Sequence, residues 1–237
     1  MILSEGSVVL GGVRALIWDL DETLIGSFDL FAGIIEGLAT KFNLSKPDRE
    51  KMLCNYHGTL EDTLKNCLDL HDEQVMTDVF AEFKIQQQLH YEDDIDKHYY
   101  QDAVELVHRA NKLGLPQAVV TNRAHEGRGS ASPHSIVGDS QINGFIDEIR
   151  CIDQVEFPKP DPRSIQDWLD KHDIKPSEVL VIGDQHVDAR LAINLGGRAV
   201  LVVRNGGIPH LETLGDDIKN HVFLLNSLHN LELNTTL

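Results

Sequence analysis

The sequence predicts an α/β protein: a parallel sheet with helices between its strands, interrupted after the first strand by an all-helical insertion. Three observations predict it. Four short, continuous apolar runs, "ALIW" (15–18), "QAVVTN" (117–122), "VLVIGD" (179–184) and "AVLVV" (199–203), suit strands covered on both faces. Segments with apolar residues at helical spacing lie between them. From residue 26 to residue 98 only the helical patterns occur. The organisation predicted is therefore a core built from 1–25 and 99–237, with a helical domain of 26–98 inserted into it.

Each element has its own local reason. In the first insertion helix, Phe31, Ile34, Ile35, Leu38, Ala39 and Phe42 fall on one face, and the insertion continues with helical patterns over 47–55, 60–70 and 73–90. The acidic "EDDID" (92–96) reads as a return hinge or a solvated turn. In 102–113 the stripe is Val104, Val107, Ala110 and Leu113, with Gly114 at the helix end and Pro116 barring continuation. Asp161 is a candidate N-cap, Pro162 suits a first helical turn, and Ile165, Trp168 and Leu169 form the inner stripe that follows. Residues 124–135, "AHEGRGSASPHS", read as a mobile Gly/Ser-rich loop.

The 237 residues carry a net charge of −17 and a pI near 5.0. That field disfavours nucleic acid and anionic membrane as partners. It also repels an anionic substrate unless a cation reverses the sign locally. Cys54, Cys67 and Cys151 are odd in number and scattered, which argues against a disulfide framework or a zinc ribbon and for reduced thiols. The opening "MILSEGSVVLGG" lacks the features of a signal peptide, and no apolar run approaches the ~20 residues of a membrane span. A cytoplasmic location is expected. Oligomeric state is not readable from these features.

Three of the apolar runs end in polar groups: the first in Asp19 and Asp21, the second in Thr121 and Asn122, the third in Asp184, with Asp188 four residues later. In an open parallel sheet, ligands bind beyond the carboxyl ends of the strands, so the three ends would build one site. Each segment alone reads as a turn or cap; their convergence is the signal. Asp19, Asp21 and Asp184 cannot all ionise unpaired in one crevice. A hard divalent cation resolves the conflict, and Mg²⁺ suits a few carboxylates plus a substrate phosphate. An EF-hand does not fit, because the twelfth position from Asp19 is Leu30. Lys159, between two prolines in "FPKPDP", is either a surface lysine in a rigid turn or a group that stabilises charge on a phosphate.

The ordered set "DLDETL", "VVTN", "PKP" and "GDQHVD" resembles the four motifs of the haloacid dehalogenase (HAD) superfamily, over residues 15–203. The resemblance implies a Rossmann-like core. It also implies that Asp19 is a nucleophile forming an aspartyl-phosphate, and that Asp21 is general acid and then base. Thr121, Asn122 and Lys159 would hold the phosphate. Mg²⁺ would be held by Asp19, the Asp21 backbone carbonyl and Asp184, with Asp188 supporting the metal or orienting Lys159. Dehalogenases of the superfamily lack the second aspartate of the first motif, so the presence of Asp21 favours a phosphate ester over a carbon–halogen bond.

The insertion resembles the small helical cap of the phosphoglycolate phosphatase-like branch, which implies a small phosphomonoester as substrate. In "NYHGTLEDTL", His57, Gly58 and Thr59 either reach the substrate or form an ordinary helix start capped by Thr59, with Asp62 three residues on. A sugar-phosphate mutase of the same branch and a non-catalytic binding or regulatory protein are the alternatives. Two features depart from the family pattern: Glu22 stands where many relatives have glycine and is expected to face solvent, and the loop 124–135 replaces a regular helix. His186 is expected to be a solvent-facing helix-start residue, Arg204 to lie in the turn "RNGG", and the tail "HNLELNTTL" to carry no functional signal.

Overall fold

A computed structural model describes residues 6–56, 60–204 and 221–234. The elements run β1 (Val8–Gly11), β2 (Ala15–Trp18), α1 (Phe28–Lys41), α2 (Arg49–Asn55), α3 (Leu60–Leu68), α4 (Glu73–Asp93), α5 (Gln101–Lys112), β3 (Gln117–Thr121), α6 (Pro133–Gly138), β4 (Glu148–Cys151), α7 (Gln166–Lys171), β5 (Val179–Gly183), α8 (His186–Leu195), β6 (Arg198–Val202), β7 (Val222–Leu225) and β8 (Leu231–Asn234). Six strands form one all-parallel sheet in the order β4-β3-β2-β5-β6-β7. The chain builds outward from β2 to β3 and β4, then returns to the other side of β2 with β5. The strand order therefore reverses between β2 and β5, and that switch point opens a crevice beyond their carboxyl ends.

The four apolar runs are the four inner strands. Alternation sends their side chains to opposite faces. Leu16, Trp18, Val119, Leu180 and Ile182 pack with Val104, Val107 and Ala110 of α5 on one face. Ala15, Ile17, Ala118, Val120 and Val181 pack with Trp168, Leu169, Ala189 and Ala192 of α7 and α8 on the other. The Trp18 indole donates to Gln117 Oε1 at 3.0 Å, so the one polar atom of that buried ring is satisfied. Cys67 and Cys151 are buried free thiols, and burial pushes them up to about 11 and about 12. No helix among the described residues is long and apolar enough to cross a membrane.

Helices α1 to α4 close a separate core of their own, with Phe31, Ile34, Ile35, Leu38 and Ala39 of the predicted stripe packed on Met52, Leu64, Leu68, Val79 and Phe83. The two connections to this cluster lie side by side. Ile25 bridges Tyr99 antiparallel, Gly26 N donates to His98 O at 2.8 Å, and Tyr100 N donates to Leu24 O at 2.9 Å. The acidic stretch 92–96 ends α4 and starts a 3₁₀ turn at Ile95, capped by the Asp94 side chain.

Four strands were not foreseen. β4 is only four residues long and half-exposed over three of them, and β7 is an equally short edge strand. β1 and β8 pair parallel in a second, two-stranded sheet, so the tail beyond His229 joins Val8 to Gly11. Two expectations need correction. The segment 124–135 contains a 3₁₀ turn (Gly129–Ala131) and the start of α6, capped by Ser132. It is docked on α4: Ser130 Oγ donates to Gln88 O at 2.9 Å and Arg128 Nη1 to Gln87 Oε1 at 2.7 Å. Arg204 is not a free group in a turn. It forks onto Asp102 at 2.7 and 3.0 Å, over the Tyr100 ring, and Asp102 also accepts from Ser227 Oγ and Leu228 N.

Burial raises the Asp102 carboxyl, but the hydrogen bonds and charge of Arg204 outweigh it and hold the group below its usual range. Its stabilisation is therefore complete above the ordinary carboxylate pKa of about 4 and is lost as pH falls through the depressed folded value. Asp102→Ala is expected to lower the unfolding free energy by about 3 kcal/mol at pH 7, because Arg204 is left without its partner. Urea titration at pH 7 and below pH 3 should show the gap between variant and parent shrinking in acid.

Candidate active site

Asp19 leaves β2, and Asp184 leaves the neighbouring β5, at the switch point. The Asp19 backbone N–H donates to Ile182 O at 2.8 Å, which extends the β2–β5 pairing and aims both strand ends into the same crevice. Asp188 lies one turn into α8. Carboxylate oxygens of Asp19, Asp184 and Asp188 lie within 4.8 Å of one another. Lys159 Nζ, on the loop before α7, donates to Asp19 Oδ1 at 2.5 Å and to Asp188 Oδ1 at 2.8 Å. Its side chain is 2% exposed. Asp188 Oδ2 accepts from Gln185 N at 3.1 Å, so this carboxylate also closes the capping box of α8.

Three carboxylates crowd about one ammonium, which bonds two of them, and burial together with that charge balance shifts the pKa values of Asp19 and Asp184. Burial pushes Asp19 up, Lys159 pulls it back and Asp188 adds to the rise, leaving it at about 7. Burial, with Asp19 and Asp188 beside it, raises Asp184 well above the carboxylate range. Lys159 is raised despite burial, because Asp188 and Asp19 hold its proton.

Asp21 stands apart from this cluster. Both of its oxygens are taken by Arg123, Nε donating to Oδ2 at 2.9 Å and Nη2 to Oδ1. Burial opposes ionisation of Asp21, but the Arg123 charge and hydrogen bonds prevail and hold its carboxyl below the usual value. Arg123 is the residue the sequence reading missed. It follows "VVTN" directly, but nothing local marks it as the partner of a carboxylate 102 positions earlier.

Glu22 is a third correction. It does not face solvent; it is 5% exposed, with φ at 57° in the left-handed region where glycine is favoured. Its Oε1 accepts from Ser27 N and Phe28 N, both at 2.7 Å, and its Oε2 from Tyr100 OH at 2.9 Å. The carboxylate thus caps α1 and joins the two connections of the insertion. An N-terminal cap favours an anion, which offsets the backbone conformation.

The remaining candidates divide. Thr121 is buried at the end of β3, and its Oγ1 accepts from Arg123 N at 3.1 Å. Asn122 is exposed at the strand tip. His57, Gly58 and Thr59 lie outside the described residues. His186 is half-buried rather than solvent-facing, and its Nδ1 is buried without a hydrogen-bond partner. The insertion reaches the site from the Asp21 side: Tyr91 of α4 lies beside the Arg123 guanidinium, and Tyr56, after α2, is 2.5 Å from Ser27 Oγ.

The sequence profile of the haloacid dehalogenase-like hydrolases matches residues 16–202. The chain belongs to this family. A Bacillus anthracis protein named pyrophosphatase PpaX is 26% identical over 222 residues, covering 93% of this chain and 95% of that one. A predicted phosphoglycolate phosphatase from Haemophilus somnus 129PT has the same fold, with a TM-score of 0.72 at 20% identity, covering 92% of this chain and 95% of that one. CbbY from Rhodobacter sphaeroides, solved with phosphate, matches with a TM-score of 0.66 at 17% identity over 91% and 95% of the two chains.

In this HAD-family hydrolase the donor set fits a hard divalent cation: three close carboxylates, oxygen donors throughout, and too few positive charges of their own. Gly183 is part of that fit. A Cβ there would lie 2.3 Å from Asp188 Cγ, and Asp188 is already fixed by Lys159 and Gln185. Gly183→Ala is expected to weaken divalent-cation binding by about tenfold or more, as loss of a supporting contact does. Isothermal titration with the folded variant checks it.

Proposed function

We propose that the protein is a Mg²⁺-dependent phosphatase that hydrolyses a small phosphomonoester through an aspartyl-phosphate on Asp19. The observation that carries the reading is the pairing of Lys159 with Asp19 in the crevice where the Asp184 and Asp188 carboxylates converge. Names of relatives, the pyrophosphatase above among them, make inorganic pyrophosphate and short phosphate esters the first substrates to try. Insertion α1–α4 acts as the cap in this reading. Its Tyr56 and Tyr91 already touch residues beside Asp19 and Asp21, and a closed cap excludes water and bulky substrates.

Asp19, Asp184 and the Asp21 backbone carbonyl would hold Mg²⁺, with Asp188 at their side. When bound, the cation offsets the charge of the carboxylates and of the phosphoryl oxygens. Asp19 forms a bond to phosphorus as the ester P–O bond breaks. Lys159 and the Thr121 hydroxyl meet the phosphoryl oxygens. Asp21, once it has taken up a proton against the pull of Arg123, gives it to the leaving oxygen, then takes one from the water that attacks the phosphorus of the acyl-phosphate. That second attack frees phosphate and restores Asp19. Lys159 starts on Asp19 Oδ1, so it already sits where charge develops, and little reorganisation is needed.

The test is a screen of pyrophosphate and metabolite phosphates with and without Mg²⁺. Phosphate release that needs Mg²⁺ and continues without any bisphosphate is the expected result. Transfer between sugar positions instead would mean a mutase, and inactivity across the panel a binding protein. Asp19→Asn is expected to lower kcat by at least ~1,000-fold with an unchanged melting temperature. Asp184→Ala is expected to shift the Mg²⁺ activation curve to higher concentration; an unchanged curve refutes its place at the metal.

A further inference from the structure

We propose that Arg123 is the positioning residue for Asp21, and that Tyr91 of the helical insertion holds Arg123 in place, so that the seat of the insertion sets where the Asp21 carboxylate points. This rests on the proton-transfer role given to Asp21 above; it concerns where the carboxylate is held, not when it ionises.

Arg123 is 8% exposed, and its side chain makes several directional contacts. Two N–H groups fork onto the two Asp21 oxygens. Nη1 donates to Ala131 O at 3.1 Å, in the 3₁₀ turn that follows the loop. Nη2 also reaches Tyr91 OH at 3.4 Å, and the guanidinium carbon lies 5.5 Å from the centre of the Tyr91 ring. The Arg123 backbone N–H is tied to Thr121 Oγ1 at the end of β3. A fork of this kind fixes the plane of a carboxylate as well as its distance, which a single ammonium cannot do. Ion-pair stability is a poor reason for the arrangement, since a buried pair gains little over apolar packing.

The supports of Arg123 come from one stretch of α4. Tyr91 touches the guanidinium, Gln87 accepts from Arg128, and the Gln88 carbonyl accepts from Ser130, one residue before Ala131. Gln87 and Tyr91 are four residues apart and so share a helix face. A shift of α4 would therefore move both the Tyr91 wall and the turn that carries Ala131 O. The Asp21 carboxylate would lose its orientation through Arg123, in addition to its own hydrogen bond with Ser27 at the start of the insertion.

The experiment compares phenyl phosphate with 4-nitrophenyl phosphate, two esters of similar shape whose leaving groups differ in basicity. Phenolate, with a conjugate-acid pKa of about 10, needs a proton as it departs, and 4-nitrophenolate needs it far less. Asp21→Asn serves as the reference, with a large loss on phenyl phosphate and a small one on the nitrophenyl ester. Arg123→Met is expected to copy that pattern: kcat falls ~100-fold on phenyl phosphate and less than ~10-fold on 4-nitrophenyl phosphate, with KM nearly unchanged on both. Arg123→Lys should recover part of the loss, and Tyr91→Leu should show the same selectivity at about tenfold. The last two variants keep the test decisive if Arg123→Met does not fold.

Equal losses on the two esters, with Asp21→Asn still selective, would reduce Arg123 to a structural role and overturn the proposal. A loss confined to KM would do so too, by making Arg123 a substrate-binding group. Should Asp21→Asn itself fail to discriminate, the proton role of Asp21 falls, and the positioning role with it.

Discussion

Mutual repulsion among buried carboxylates is the constraint on which the rest of the structure depends. Asp19, Asp184 and Asp188 crowd into one crevice with a single ammonium, Lys159, between two of them. Left alone, such a cluster resists ionisation: burial first, and the neighbouring carboxylates with it, raise Asp19 and Asp184. Folding assembles it because the β2 and β5 backbones are fixed by sheet pairing and by two apolar layers, whose burial outweighs the local repulsion. The strain is thus confined to the strand ends, where, in the proposed reading, a bound cation would relieve it and let a phosphate meet a favourable field despite the net charge of −17.

A second set of buried acids does different work. Asp21 and Asp102 are each paired with a guanidinium, Arg123 and Arg204, while Glu22 accepts from the α1 N-terminus and Tyr100, although burial still raises its carboxyl. Glu22 and Asp102 are linked. Tyr100 reaches Glu22 with its hydroxyl and lies under Arg204 with its ring, so the connections of the insertion are tied to the sheet through one chain of polar contacts. Neighbouring carboxylates in "DLDET" therefore have unlike environments. Burial raises Asp19 despite Lys159, with Asp188 adding to the rise, while the Arg123 guanidinium overcomes burial and lowers Asp21, so their pKa values shift in opposite directions.

The inner sheet and the helical insertion were legible because their signals are local. A continuous apolar run such as "VLVIG" suits a strand buried on both faces, and the Phe31-to-Ala39 stripe suits one helix face. The site's carboxylates were legible because each follows a strand or opens a helix, so a local motif stands at a place where ligands bind, whereas Lys159 lies on a loop and was legible through the "PKP" motif. β1, β4, β7 and β8 were not legible. Four residues carry too little periodicity, and their existence depends on what lies next to them, as the pairing of Val8 with Leu231 shows. The Gly/Ser-rich composition of 124–135 suggested mobility, whereas its hydrogen bonds to Gln87 and Gln88 give it a fixed seat.

The amino-acid sequence by itself determined the strand-and-helix order, the long helical interruption, and which residue types reach the carboxyl edge of the sheet. These follow from side-chain chemistry and short-range spacing, which do not depend on the partner. Only the tertiary structure decided the pairings: Lys159 with Asp19 and Asp188, Arg123 with Asp21, Glu22 inside rather than out, Arg204 with Asp102. A charged side chain carries no mark of its partner in the linear chain. Which opposite charge it meets depends on how the backbone brings distant segments together, and here those partners lie up to 140 positions apart.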